Sequence, residues 1–222
     1  MSDVLFNSVR ALQPVLIHYL VSVFISMISE TMGLHLDAAS LTTMAAVLVL
    51  PFLLYMIKKD RLCRGETVCG RLTLGKSMGI FLFALVCNLG FTVLGNLLIQ
   101  AVSAVFSMEI SNTVQEGLFS SNVIMQLMGI GIVVPVMEEV LFRGLVYNRF
   151  KDYNKEWLSG ILGAAVFAIY HGNLMQIIFA FPMALIITET YRRNKTLAAP
   201  ILFHVTVNVS SVLITYAGQM YR

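Results

Sequence analysis

Three ionisable side chains stand close together in an otherwise apolar part of this sequence: Glu138, Glu139 and Arg143. Residues 123–136 before them carry no charge, and residues 144–147 after them continue without one. A charged side chain at the centre of a membrane helix costs on the order of 2.5–3.5 kcal/mol on insertion scales. Such residues therefore pair with each other, line a wet cavity or carry out chemistry.

Helical spacing divides the two carboxylates between different tasks. Residues four apart face the same way, so Glu139 and Arg143 can form an ion pair. Glu138 lies about 100° round the helix and has no partner in its own segment, which leaves it available for chemistry. Pro135 frees the carbonyl of Gly131 from its helical bond, so we expect a kink or a local opening nearby. The alternative is a buried ion network that only holds helices together.

Two further pairs of residues repeat the spacing of four. Phe167 and His171 share one helical face, and His204 and Asn208 share another. A lone histidine at a helix end usually caps or packs, and Tyr170 beside it is typical of an interface aromatic. His204 and Asn208 form a polar stripe that can serve as a hydrogen-bonding site or as a contact between helices.

The composition indicates what must position these residues. Of the 222 residues, 58% are hydrophobic and only 12% are charged, with a mean hydropathy of +0.81. Soluble domains are roughly a quarter charged, so the bilayer is the expected solvent and the fold class is an all-α polytopic membrane bundle. We find no internal repeat, so the chain is expected to be one membrane domain, with 1–121 lacking a signature and 122–218 carrying the polar pairs.

Apolar runs of about 20 residues predict seven spans. They are 11–33, 39–57, 77–106, 122–147, 157–171, 174–190 and 197–218. Twelve of the 15 Lys and Arg residues fall in three connections. These are Lys58, Lys59, Arg61, Arg64, Arg71 and Lys76, then Arg149, Lys151 and Lys155, then Arg192, Arg193 and Lys195. Two other connections contain no Lys or Arg: one has His35 and Asp37, and the other has Glu109 and Glu116. Because basic residues are enriched in cytosolic loops, this distribution predicts that the three basic connections and the N-terminus are cytosolic.

Other features of the chain carry less weight. No small-residue cleavage site follows the first apolar run, so we expect a retained span and not a removed signal peptide. Cys63 and Cys69 lie in a basic loop, where the cytosol keeps thiols reduced, and have no expected role. No aromatic residues interleave the basic clusters, which argues against nucleic-acid binding.

One predicted pair of spans is too short to cross. Segment 157–171 would be about 22 Å long, against about 30 Å of hydrocarbon. Only residues 171–173 separate it from 174–190, so the turn is expected to lie below the outer surface, as in a re-entrant pair. Irregular backbone at such depth is tolerated only inside protein or beside a cavity. His171 stands on this turn.

The three polar patterns together resemble a known family. Glu-Glu-x-x-x-Arg at 138–143, Phe-x-x-x-His at 167–171 and His-x-x-x-Asn at 204–208 occur in this order. They resemble the CPBP family of intramembrane proteases, also called the CAAX protease and bacteriocin-processing or Abi family, which includes the type II CAAX prenyl endopeptidases. The resemblance covers about 135–210.

The resemblance implies a role for each matching residue. Glu138 is the expected general base that activates a water for attack on a peptide carbonyl, assisted by His171. His204 and Asn208 are the expected oxyanion-stabilising pair. In the same resemblance Glu139 and Arg143 support the site, and packing of the Phe167 ring places His171.

The resemblance leaves the cofactor open. The family has often been described as metalloproteases, and Glu138, His171 and His204 would be the ligands of a Zn²⁺ ion. No helix supplies a His-x-x-x-His pair, however, and ligation by Glu138 would remove the proposed base. We therefore favour a metal-independent glutamate protease, with Zn²⁺ as the alternative.

Two other function classes remain at this stage. A membrane scaffold or bacteriocin self-immunity protein would keep the polar residues for folding or partner binding, and a transporter would use them as a proton relay. The protease hypothesis implies a peptide or a membrane-associated protein as substrate, in the plasma membrane of a prokaryote. The sequence does not distinguish a CAAX-type substrate from a bacteriocin or other peptide. It also does not indicate the oligomeric state.

Overall fold

The predicted all-α membrane bundle is confirmed by a computed structural model, which describes residues 3–65, 70–106, 117 and 121–220. Within these ranges the chain forms seven long helices and no strand. They are α1 (Asp3–Thr31), α2 (Ala38–Arg64), α3 (Leu74–Phe106), α4 (Val123–Lys151), α5 (Glu156–Tyr170), α6 (Leu174–Asn194) and α7 (Ala198–Met220). Each predicted span corresponds to one helix.

Five of these helices are long and apolar enough to cross a membrane by length and composition: α1, α2, α3, α4 and α7. α5, with only 15 residues, and α6 are not among the five, so the seven crossings stay a prediction. Several helices run past the predicted limits of the spans, since α2 continues from 57 to Arg64 and α4 from 147 to Lys151. The apolar run marks where the chain meets lipid, whereas the hydrogen-bonded helix continues into the polar zone.

Side-chain contacts place the three basic connections at one end of the bundle. Arg64 Nη1 lies 3.3 Å from Asp152 Oδ1, which joins the first connection to the second. Gly70 lies against the carbonyl of Asn194, which joins the first connection to the third. At the opposite end, the Ser121 hydroxyl donates to Asp37 Oδ1 at 2.6 Å.

The connections therefore alternate between the two ends of the bundle as predicted. The assignment of the basic end to the cytosol stays a prediction. Glu109, Glu116 and Cys69 lie outside the described residues.

Helix α4 forms the centre of the bundle and contacts α1, α2, α5 and α7. Its glycines permit the close approach of α2, because a Cβ at Gly129 would collide with the Thr43 side chain and one at Gly144 with Ile57. Every side chain from 137 to 150 is buried. The three ionisable residues Glu138, Glu139 and Arg143 thus lie in the interior of the protein.

The turn between α5 and α6 lies at the depth of the middle of α4. Gly172 adopts the left-handed conformation, with φ 68°, which allows the chain to reverse directly after His171. His171 and Gly172 line the same cavity as Glu138, which lies near the midpoint of α4. Irregular backbone is thus found beside a cavity, where the shortness of α5 led us to expect it.

A network of buried ions holds the basic end together. Asp60 in α2 accepts from Arg149 in α4, with 2.6 Å from Nε to Oδ2, and both side chains are almost fully buried. Arg149 also donates to the backbone carbonyl of Arg10 at 2.7 Å, and the Arg10 side chain lies 3.4 Å from Asp60. Three helices, α1, α2 and α4, are therefore joined through two side chains.

Removing one partner of this network is expected to destabilise the bundle. Arg149→Met leaves the Asp60 carboxylate buried without its partner at 2.6 Å, which should cost about 3 kcal/mol of unfolding free energy. The measurement is unfolding in mixed micelles followed by circular dichroism. The matched control is Arg193→Met, because the Arg193 side chain is 74% exposed in its pair with Glu189 and its loss should cost less than about 1 kcal/mol. Equal losses in the two variants would contradict the importance of burial.

Candidate active site

A cavity of about 970 Å³ brings the four predicted catalytic residues together. Glu138 comes from α4, His171 from the turn after α5, and His204 and Asn208 from α7. They are separated by up to 70 positions in the sequence, and the packing of α4 against α7 and the short helices collects them. Val134, Met137 and Ile130 supply apolar wall.

The predicted ion pair of Glu139 and Arg143 is present and is completely buried. Arg143 Nη1 lies 2.8 Å from Glu139 Oε1, with side chains 2% and 0% exposed. The same Oε1 atom accepts from His204 Nδ1 at 2.7 Å. The sequence did not predict this second bond, because no local spacing relates α4 to α7. Glu139 therefore orients a residue of the cavity as well as neutralising Arg143.

Arg143 reaches further than its pair with Glu139. Its Nη2 donates to the carbonyl of Ala184 in α6 at 3.0 Å, and its guanidinium lies 4.8 Å from the centroid of the Phe167 ring. The Phe167 ring in turn lies 4.8 Å from the His171 ring and 5.9 Å from that of His204. Phe167 is thus the packing residue between both histidines and the arginine.

Hydrogen bonds define which histidine nitrogens are available. A backbone carbonyl can only accept, so His171 Nδ1 carries the hydrogen that it donates to the oxygen of Phe167 at 2.9 Å. His204 Nδ1 donates to Glu139 in the same way. In both rings Nε2 is left for the cavity. His204 Nε2 lies 3.7 Å from Glu138 Oε2, longer than a direct hydrogen bond.

Helix α4 contains two segments with the wider π-helical turn, Gln126–Val133 and Val140–Tyr147. At the end of the first, the Val134 N–H donates to the carbonyl of Gly129, five residues earlier. In this register the carbonyl of Ile130 would require an N–H at 135, which Pro135 lacks. Asn208 Nδ2 supplies the missing donor at 3.0 Å.

This register corrects the prediction that Pro135 would free the carbonyl of Gly131. That prediction assumed α-helical bonds, and the π-helical register moves the freed carbonyl by one residue to Ile130. Asn208 consequently has a structural bond besides its place in the cavity. One of its two amide hydrogens is used, and the second is left for the cavity.

The assignment of Tyr170 as an interface aromatic is wrong. Its hydroxyl is hydrogen-bonded to Nδ1 of His18 in α1, and both residues line the cavity. His18 is 3% exposed and was not considered in the sequence analysis. A histidine within an apolar span is itself the signal that would have identified it.

The residues do not fit a metal ion as they stand. Each histidine donates through Nδ1 to an oxygen, which is typical of metal-ligating histidines. However, the described ranges contain no group of three His, Cys, Asp or Glu side chains that could hold a metal ion, although Glu138, His171 and His204 line one cavity.

In a comparison with known protein families, the matching part of the chain is the part that contains the three polar patterns. The model of the family described as type II CAAX prenyl endopeptidase Rce1-like matches residues 120–210. The resemblance to this group of proteases, which rested on three short patterns, is therefore confirmed. No solved structure shows a significant match to the chain.

Three curated relatives are bacterial proteins. "Putative membrane peptidase YdiL" of Bacillus subtilis (strain 168) is 26% identical over 82 residues, which cover 37% of this chain and 34% of that protein. "UPF0177 protein YbdI" of Lactococcus lactis subsp. lactis (strain IL1403) is 32% identical over 74 residues, or 33% and 39% of the two chains. "Uncharacterized 24.3 kDa protein" of Escherichia coli is 30% identical over 97 residues, or 41% and 45%. The matches thus span less than half the length of each relative.

The role of Asn208 as donor to Ile130 is testable by a double-mutant cycle. Asn208→Leu leaves the Ile130 carbonyl without a donor and should lower the unfolding free energy by about 1–2 kcal/mol. Pro135→Ala introduces an N–H at the position that the π-helical register requires. In that background Asn208→Leu should cost much less, as measured by unfolding in mixed micelles. Equal costs in the two backgrounds would show that the bond to Ile130 contributes nothing.

Proposed function

We propose that this integral membrane protein is an intramembrane endopeptidase in which Glu138 activates a water for attack on a peptide bond. The observation that carries the proposal is the single cavity lined by Glu138, His171, His204 and Asn208. The match of residues 120–210 to an endopeptidase family supports the reaction class. No soluble domain is needed, because the residues of the reaction all lie within the bundle.

The reaction begins at the carboxylate of Glu138. Its Oε2 and His204 Nε2 are 3.7 Å apart, a separation at which one water can lie within about 2.8 Å of both atoms. Glu138 takes a proton from this water while the water oxygen forms a bond to the peptide carbonyl carbon. His171 lines the same cavity, and its Nε2, which has no hydrogen-bond partner among the described residues, accepts a hydrogen bond from the same water in this proposal.

The tetrahedral oxyanion then requires donors. Asn208 offers its second amide hydrogen, and His204 offers Nε2–H when the ring is protonated at both nitrogens. Glu139 on the opposite side of the ring compensates the charge of such an imidazolium. Collapse of the intermediate breaks the C–N bond, and Glu138 returns its proton to the leaving amine. Glu138 thus ends the cycle as the carboxylate with which it began.

Glu139 and Arg143 act as positioning residues in this proposal. They touch no reacting atom, since both are fully buried behind the cavity wall. Their contribution is the orientation of His204 and of Phe167. Apolar surroundings strengthen each of these interactions compared with water.

The proposed location is the plasma membrane of a prokaryote, with the basic connections in the cytosol. The positive-inside bias of the three connections supports this orientation. The bacterial origin of the curated relatives supports the prokaryotic membrane. The proposed substrate is a peptide or a membrane-associated protein, of CAAX type or related to bacteriocin processing.

The decisive variant is Glu138→Gln, which keeps the shape of the side chain and removes the base. It should lower peptide cleavage by at least about 100-fold, because general-base catalysis contributes on the order of 10²–10⁴. The assay is mass spectrometry of a peptide library incubated with purified protein in vesicles, scored by new C-termini. The control in the same helix is Gln126→Ala. The Gln126 side chain donates to the carbonyl of Ser121 away from the cavity, so this variant should leave cleavage within about threefold of the wild-type rate. Full biological function of Glu138→Gln would instead favour a scaffold or immunity role.

The metal-independent mechanism makes a separate prediction. Incubation with a strong chelator, followed by gel filtration into metal-free buffer, should leave the cleavage rate within about twofold, since no step requires a Lewis acid. The control is a known zinc peptidase treated in parallel. Loss of activity that added Zn²⁺ restores would overturn this mechanism and would make Glu138 a ligand.

A further inference from the structure

The cavity has a wall between α1 and α5 that lies towards the surface of the bundle. Two of its lining residues are largely exposed, Tyr19 of α1 at 57% and Ile169 of α5 at 65%. Tyr19 lies near the midpoint of the 29-residue helix α1, so this surface lies at the depth of the hydrocarbon. A cavity wall that is exposed at this depth faces lipid and not water.

The residues next to these two form a bridge across the same gap. His18 precedes Tyr19 and Tyr170 follows Ile169, and the Tyr170 hydroxyl is hydrogen-bonded to His18 Nδ1. Besides the contacts of α4 with its neighbours, the extensive helix contacts among the described residues are those of α5 with α6, α7 with α3 and α1 with α2, and the pair α1 and α5 is not among them. α1 and α5 therefore meet mainly through these side chains, with ring centroids 5.6 Å apart.

The bridge consists of the bond between His18 and Tyr170, with the Ser22 hydroxyl of α1 also close to the Tyr170 hydroxyl, and it is incompletely satisfied. His18 Nε2 is buried and has no hydrogen-bond partner among the described residues. An unsatisfied buried nitrogen costs free energy, which reduces the net stability of the closed arrangement. A contact of this kind can open without unfolding the helices on either side.

We propose that the gap between α1 and α5 is a lateral entrance, closed by the bond between His18 and Tyr170, through which an apolar peptide segment passes from the bilayer to Glu138. This inference rests on the proposed function for its substrate. The occupant is identified by the entrance itself: Tyr19 and Ile169 present apolar surface at hydrocarbon depth, and the cavity continues from them to the carboxylate. A soluble, charged peptide would have to lose its hydration to take this route.

Access from the bilayer can be measured without any turnover. Dicyclohexylcarbodiimide partitions into lipid and adds to a protonated carboxyl group: the proton moves to a carbodiimide nitrogen, the carboxyl oxygen bonds to the central carbon, and rearrangement gives a stable N-acylurea. In vesicles the reagent should modify Glu138 of the wild type at a rate that peptide mapping by mass spectrometry can follow. Because the reagent requires the protonated carboxyl, the reaction is followed at decreasing pH, and no modification of Glu138 at any pH at which the protein stays folded would overturn the lateral entrance.

Three variants then test the place of the entrance. Ile169→Trp narrows the gap and should slow the modification severalfold, whereas Leu20→Trp, at an equally lipid-exposed position of α1 outside the cavity lining, should not. His18→Phe keeps a ring and removes the bond to Tyr170, so it should speed the modification by about fivefold, the effect expected for one net hydrogen bond. Circular dichroism and thermal unfolding would verify that each variant is folded.

The outcomes separate the entrance from the enzyme. An unchanged rate in Ile169→Trp, an equal loss in Leu20→Trp, or a rate in His18→Phe at or below the wild-type value would overturn the entrance. If the rates follow the expectation but the wild type cleaves no peptide, the entrance stands and the proposed protease activity fails. If the wild type cleaves peptides but the modification rates are the same in all variants, the proposed protease activity stands and the entrance fails.

Discussion

The buried carboxylate of Glu139 is the interaction on which the site depends. One of its oxygens accepts from both Arg143 and His204, so a side chain of α4 fixes the position of α7. Arg143 extends the same cluster to α6 through the carbonyl of Ala184 and to α5 through the ring of Phe167. Four helices thus meet at one buried ion pair. An ion pair of this kind contributes little net stability, because desolvation offsets its attraction, but it strongly favours one arrangement of the helices over others.

The π-helical turns of α4 shift its side chains round the helix axis and leave a backbone carbonyl without its helical donor. Each inserts a residue into the α-helical register and shifts the side chains that follow it round the helix axis. The first turn ends at Val133, and Pro135 just after it leaves the carbonyl of Ile130 without its backbone donor. Asn208 replaces that donor from α7. The residue that completes the backbone of α4 is therefore the one predicted to stabilise an oxyanion, and a single contact sets both the helix register and the cavity wall.

Much of the site could be predicted from the sequence, because its parts are local. The pair of Glu139 with Arg143 follows from a spacing of four, and the depth of the His171 turn follows from the shortness of α5. The bond from His204 to Glu139 could not be predicted, since it depends on how α7 packs against α4. The shift of the freed carbonyl from Gly131 to Ile130 depends on a register that the sequence does not specify. His18 was missed although a histidine in an apolar span is a readable signal, because no spacing relates it to the other polar residues.

The contrast between the two neighbouring carboxylates follows from the donors that each can reach. The guanidinium of Arg143 donates to Glu139 and to the Ala184 carbonyl and faces the Phe167 ring, and within the described residues no Lys or Arg lies within ion-pair distance of Glu138. A carboxylate without such a partner is tolerated in a membrane protein only where something polar solvates it. The cavity provides that solvation together with His204 Nε2 at 3.7 Å. In the proposed reaction the same space would admit the substrate and hold the polar groups around Glu138. In that reaction, the donors that surround Glu139 hold it in place, whereas Glu138 faces the cavity and is the carboxylate that can reach a water and a peptide.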